Sequence, residues 1–216
     1  MSQIPVTPRT KLSRLPARGS HEREVINQIL DEAFICHVGF VADGQPFVIP
    51  TGFGRKDDHL YIHGSAASRM LKNLAAGVPM CVTVTLLDGL VMARSMFHHS
   101  MNYRSVVVLG TATPVTEREE KIAALHIISD HIVRGRWNEV RELNDNELKQ
   151  TAVLKLPIEE ASAKVRTGPP KDEAEDYDLP IWAGVLPIAM KLGEPVPDPA
   201  LRVQAEVPGS VRKYAR

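Results

Sequence analysis

The stretch Tyr61-Ile-His-Gly-Ser-Ala-Ala-Ser-Arg69 holds the densest set of groups in the chain that could do chemistry. A β-prone run ends near His63, and helix-forming residues begin a few positions later. The start of a helix leaves backbone N–H groups unpaired and carries a partial positive charge, so it attracts phosphate. Gly64 lets the backbone come close, the hydroxyls of Ser65 and Ser68 can donate hydrogen bonds, and Arg69 can grip two phosphate oxygens with its planar fork. The same residues also suit an ordinary capped helix, with Ser65 as N-cap and Arg69 in solvent. Neither a G-x-x-x-x-G-K-[ST] loop nor a G-x-G-x-x-G fingerprint occurs, so this is neither a P-loop nor a dinucleotide-binding turn of the Rossmann kind.

Eight histidines are the next candidates. His98 and His99 are adjacent at an expected strand end, where neighbouring side chains point to opposite faces, so they do not ligate one metal together. The chain has no H-E-x-x-H, and no metal site is expected. His63 closes a strand beside the phosphate junction and reads either as a hydrogen-bonding partner of a bound cofactor or as a haem ligand. Tyr103-Arg104 suits an anionic substrate group or an edge-strand salt bridge equally well. Met92, Met96 and Met101 read as core and interface filler. Cys36 and Cys81 sit apart in apolar runs and read as reduced packing residues.

These groups need elements to hold them. Val25, Ile26, Ile29, Leu30 and Ala33 recur at helical spacing, predicting a helix over 21–32 capped by Ser20. Residues 34–41 are β-rich, and Asp43-Gly44 predicts a hairpin turn into a return strand, 46–55, interrupted by Pro50. A short strand follows at 60–63, and then a helix opened by residues 64–68 that ends before Gly77, a residue suited to the left-handed position after a helix. Residues 80–87 form a strand that Asp88-Gly89 is expected to turn into another at 90–97. A polar corner at 98–105 precedes the valine-rich strand from Val106. Thr116 is expected to cap a helix over 117–133, with a shorter helix near 145–150 and strands at 152–158 and 163–166. The segment after Gly168 reads as loop, its acidic run from Asp172 to Asp178 in solvent. Hairpin-linked strands with a few interposed helices predict a mostly β, α+β architecture, an antiparallel barrel with peripheral helices.

Bulk composition sets limits on partners. The chain has 216 residues, 26 Lys plus Arg against 26 Asp plus Glu, and 44% hydrophobic residues. One domain with its own core is expected. A net charge of zero gives no electrostatic reason for a nucleic-acid or membrane partner, and it does little to oppose self-association. No apolar run approaches the ~18 residues of a membrane-spanning helix. Residues 1–19 read as an extended arm without the apolar core of a secretory signal, and a cytoplasmic location is expected.

One ordered set of segments goes further. Pro46-Phe-Val-Ile-Pro-Thr51, Leu60-Tyr-Ile-His-Gly-Ser65, Ser68-Arg69 and Met101-Asn-Tyr-Arg-Ser-Val-Val-Val-Leu-Gly110 together resemble flavin-binding proteins related to pyridoxamine 5′-phosphate oxidase, above all the nitroimidazole-resistance-like branch. The resemblance spans residues 20–190, with a tail at 191–216. It implies an FMN-binding split β-barrel and a homodimer with FMN sites at the subunit interface. Val48, Ile49, Pro50 and Thr51 would run along the flavin, Ile62 and His63 would line it, Ser65, Ser68 and Arg69 would hold its phosphate, Ser105 would reach the flavin from the other subunit, and Trp182 would lie near the ring. No catalytic residue is assigned. The implied activity is a flavin-dependent oxidoreductase acting on a small molecule, with electrons from NAD(P)H or a reduced partner; the alternative is a flavin- or haem-binding sensor or carrier. Where the oxidases carry a late Arg-x-His, this chain reads Trp182-Ala-Gly-Val-Leu-Pro-Ile-Ala-Met190, so vitamin B6 oxidation is not expected. Met70 also stands where the oxidases have a second cation after Arg69.

Overall fold

The computed structural model describes residues 2–214, which fall into two compact units. The first takes the segments up to Ala33, Thr83–Val107 and Glu160–Lys191. The second takes Phe34–Val82, Val108–Glu159 and the chain from Leu192 onward. Among the described residues no helix is long and apolar enough to cross a membrane.

The second unit is built on β2 (Ile35–Ala42), β3 (Gln45–Lys56), β4 (His59–Ser65), β8 (Thr151–Pro157) and the two-residue β7 (Thr113–Pro114), hydrogen-bonded in the order β2-β3-β4-β8-β7 and antiparallel throughout. In β2 the alternation seen in sequence becomes alternation in space: Cys36, Val38, Phe40 and Ala42 are buried. Asp43 and Gly44 both have positive φ, 52° and 74°, and close the β2–β3 hairpin with the primed geometry that matches strand twist. Helix α3 (Arg118–Ile132) lays Ala124, Leu125 and Ile128 on a core with Tyr61, Val115, Leu148 and Val153. At Gly54 a Cβ would sit 2.8 Å from Ile128 Cα, so only glycine lets α3 lie this close to β3. Helix α2 (Arg69–Ala75) ends before Gly77, whose φ of 90° is the left-handed turn expected of it. Helix α4 (Asp145–Gln150) carries a full capping box between Asn144 and Glu147.

In the first unit, β1 (Gly19–Ser20) pairs with β9 (Glu160–Arg166), and β10 (Gly184–Pro187) pairs with β5 (Met80–Met92), both antiparallel. Strand β6 (Ser100–Gly110) lies between β9 and β5. Helix α1 (Arg23–Glu32) buries Ile26, Ile29 and Leu30. The N-terminal arm is packed down: Ile4 is buried, and its N–H donates to the His21 carbonyl at 2.9 Å.

Four local expectations need correction. Asp88-Gly89 makes no turn, because β5 runs straight through both residues. The glycine serves close approach instead: a Cβ there would meet Val185 Cγ1 at 3.0 Å, where β10 pairs. The polar corner is largely strand, since β6 begins at Ser100. Helices α1 and α3 start one or two residues later than expected, with Glu22 and Glu117 at their N-caps in place of Ser20 and Thr116. Ser20 still contributes, its Oγ accepting the Glu22 N–H at 3.1 Å. Finally, β4 extends to Ser65, and Ser68 rather than Ser65 is the N-cap of α2.

Candidate functional site

Strand β3 changes partner along its length. Its register with β2 covers Gln45–Gly52, whereas its register with β4 covers only Phe53–Lys56. The edge of residues 45–52 that faces away from β2 is therefore open within this unit. A proline can sit in a paired strand only where its missing N–H would face away from the ladder. Pro46 and Pro50 thus fix which residues point outward: the even ones, with period two. Two contacts agree. The Pro46 carbonyl accepts from its neighbour Gln45 Nε2 at 3.2 Å, and the Gly52 carbonyl from Thr51 Oγ1 at 3.3 Å, as expected of groups outside a ladder. Between Pro46 and Pro50 the outward edge offers three carbonyls and a single N–H, that of Val48. The Val48 side chain is 65% exposed, and Ile49 and Pro50 are exposed beside it.

The second part of the site begins where β4 ends. Ser65 Oγ accepts the Ala67 N–H at 3.2 Å, and the Ser65 carbonyl accepts the Ser68 N–H at 2.9 Å, which folds residues 65–68 into a tight turn. Ser68 caps α2 by position, yet its hydroxyl makes no capping bond and stays available. Gly64 lies close to the helix here, since a Cβ would meet Leu71 Cδ1 at 3.1 Å. Arg69, the first residue of α2, lays its guanidinium over the Phe47 ring, 4.2 Å from the centroid. That contact ties the turn to the open edge of β3.

His63 stands opposite Val153 in the β4–β8 register, and its Nδ1 is buried without a hydrogen-bond partner. Burial pushes its imidazole below the ordinary value of 6.5, so the ring is neutral at neutral pH. A neutral imidazole with an unsatisfied nitrogen can bond a cofactor or a metal. Ile62 is only 3% exposed and belongs to the core, standing between Phe53 of β3 and Leu154 of β8. Cys36 is a core thiol that burial pushes up to about 12, and it has no thiolate chemistry.

The structure thus groups Val48, Ile49, Pro50, Thr51, His63, Ser65, Ser68 and Arg69 in one unit. Ser105 and Trp182 belong to the other. Ser105 Oγ donates to the Lys164 carbonyl at 3.3 Å, and Trp182 is 69% exposed with its ring folded against Gly184. Arg104 is fully engaged: Nε and Nη2 reach Asp88 at 2.9 and 2.8 Å, and Nη1 and Nη2 reach Glu32. Of its two readings the salt bridge holds. Phe47 is the site residue that sequence reasoning passed over; its place one residue before Val48 was the available signal.

Residues 22–165 match the family described as pyridoxamine 5′-phosphate oxidase. The chain belongs to that family. Among solved structures of similar fold, the flavocytochrome Anf3 from Azotobacter vinelandii is 41% identical, with 97% of each chain covered and a TM-score of 0.92. An FAD and haem binding protein from Mycobacterium smegmatis is 38% identical over 90% of this chain and 96% of its own, with a TM-score of 0.87. A protein assigned to 5-nitroimidazole antibiotic resistance in Bacteroides thetaiotaomicron is 26% identical over 68% of this chain and 86% of its own, with a TM-score of 0.57. Among curated proteins none matches. Membership in the pyridoxamine 5′-phosphate oxidase family carries the antiparallel split-barrel architecture with it.

Proposed function

We propose that this protein is a flavin-binding redox protein that also holds haem, with the flavin along the open edge of β3 and its phosphate at the Ser65–Arg69 turn. The observation that carries the reading is likeness over nearly the whole chain to two proteins whose names join a flavin with haem. The residues fit the flavin. A flat, partly apolar ring with hydrogen-bonding atoms on its rim suits an exposed apolar strand edge that offers carbonyls and one N–H. A phosphate suits the free hydroxyl of Ser68 and the fork of Arg69. The flavin supplies the redox chemistry, while the protein binds and orients it.

Val48–Thr51 hold the ring, Ser65, Ser68 and Arg69 hold the phosphate shared by FMN and FAD, and Ser105 of the partner subunit reaches the flavin. FMN follows from the family resemblance, and FAD from the mycobacterial relative's name. His63 is the side chain we assign to a second cofactor contact, either with the flavin or with haem iron through its neutral ring. The activity is oxidoreduction of a small molecule, fed by NAD(P)H or a reduced partner. Pyridoxamine phosphate is not that substrate, because Trp182–Met190 has no cation to match a phosphate and an unmatched one costs several kcal/mol, roughly a thousandfold or more in specificity.

The absorption spectrum of the purified protein tests the proposal. The visible band of oxidised flavin and a Soret band are expected together, with His63→Ala losing the Soret band and keeping the flavin. The released flavin, identified by mass, decides between FMN and FAD. A protein that stays colourless after incubation with flavin and haem would overturn the reading.

A further inference from the structure

The first unit holds an arginine that no acid neutralises among the described residues. Arg166, the last residue of β9, is only 7% exposed. Its Nη1 donates to Asn102 Oδ1 and, at 3.4 Å, to the Gly168 carbonyl, and its Nη2 donates to the Pro169 carbonyl at 3.3 Å. All these acceptors are neutral, and Nε is buried with no acceptor. Three other arginines of the unit have acidic partners: Arg9 with Glu160, Arg94 with Asp172, and Arg104 with Glu32 and Asp88.

A second cation stands beside it. Gly19 pairs with Lys164, two residues before Arg166, and the short 3-10 turn of residues 16–18 that leads into it packs on β9. Arg18 is half-buried and makes no ion pair among the described residues. Burial first, then the charge of Arg18, lower the Arg166 guanidinium below its ordinary value, while Tyr103 acts the other way. Two adjacent cations, one of them buried, are unfavourable unless something negative joins them.

We propose that Arg18 and Arg166 form an anion site that takes a carboxylate or phosphate group, with Arg18 in contact and Arg166 supplying charge behind it. The group has two possible sources. It belongs either to the bound cofactor, as an FAD phosphate or a haem propionate, or to a separate small acid. The site stands whether or not the cofactor assignment above holds, because the probe is the anion itself.

The test is thermal unfolding with inorganic phosphate or citrate, at ionic strength held constant with sodium chloride. The protein is used as purified and again after its cofactors are stripped, alongside Arg18→Ala and Arg18→Lys. An anion-dependent rise in melting temperature is expected. Arg18→Ala should weaken the apparent affinity by about tenfold or more, as loss of one charge-assisted contact implies, and Arg18→Lys should keep part of it. In chloride alone Arg18→Ala should melt no lower than the wild type, since Arg18 makes no ion pair among the described residues and its removal takes a like charge away from Arg166. A response confined to stripped protein identifies a cofactor group, and one seen in both forms identifies a separate acid. An equal rise in wild type and Arg18→Ala, or no rise in either form, would overturn the site.

Discussion

Arg69 and Arg104 are alike in sequence, each beside groups that could bind an anion, and differ completely in place. Arg104 is spent on Glu32 and Asp88, whereas Arg69 touches only an aromatic face and keeps its N–H groups for a ligand. Replacing Arg69 with Ala should therefore weaken binding of FMN or FAD by about 1.5–3 kcal/mol, roughly tenfold to a hundredfold. Riboflavin, which has no phosphate, should be nearly indifferent, and equal weakening of riboflavin in a fluorescence titration would remove Arg69 from the phosphate. No spacing rule could have separated the two arginines, because the acids that occupy Arg104 converge from α1 and β5. His63 gives a pH prediction. Burial lowers its folded-state value below 6.5, so the unfolded chain binds the proton more readily. Stability rises with pH in that range: the contribution is present above about 6.5 and is lost as pH falls. Urea unfolding between pH 5 and pH 8 should show this slope, and His63→Gln should flatten it; an unchanged slope would place the titration on another group.

At the scale of elements, the same dipeptide met two fates. Asp43-Gly44 turns with both residues at positive φ, while Asp88-Gly89 lies extended within β5. The difference is tertiary. Gly89 is needed where β10 packs closely, and the Asp88 carboxylate is needed by Arg104, and neither demand shows in a local window. The strand period, the α1 and α3 faces and the Gly77 terminus were legible because each is a local pattern that burial reinforces. The open edge of β3 was half legible: Pro46 and Pro50, four residues apart, mark an edge, but where the β4 ladder stops is a matter of register. The edge has its own test. Val48→Pro removes the one outward N–H between the two prolines and should be accepted by the strand as they are. Flavin affinity should fall by about 1 kcal/mol, several-fold, relative to Val48→Ala. A variant that loses about 3 kcal/mol of stability in urea unfolding would mean that the Val48 N–H faces β2 and that the edge is misassigned.

At the scale of the whole molecule, the described residues leave much apolar surface in solvent. Phe97 is 89% exposed, and Met96, Met190 and Trp182 are also exposed. Large exposed apolar side chains in number mark an interaction surface, and a chain of zero net charge does little to hold copies apart. We propose a homodimer that needs both chains for its flavin sites, with more than about 2,000 Å² of total buried area. Light scattering at micromolar concentration should give the dimer mass, and a flavin-loaded monomer would contradict it.

The claim on which the rest depends is that this chain binds a flavin nucleotide by its phosphate and ring together. The direct measurement is titration of FMN, FAD and riboflavin with cofactor-free protein, followed by quenching of flavin fluorescence. Saturable quenching at one flavin per chain is expected, with FMN or FAD bound more tightly than riboflavin. Quenching that never saturates, or equal affinity for all three flavins, would contradict it.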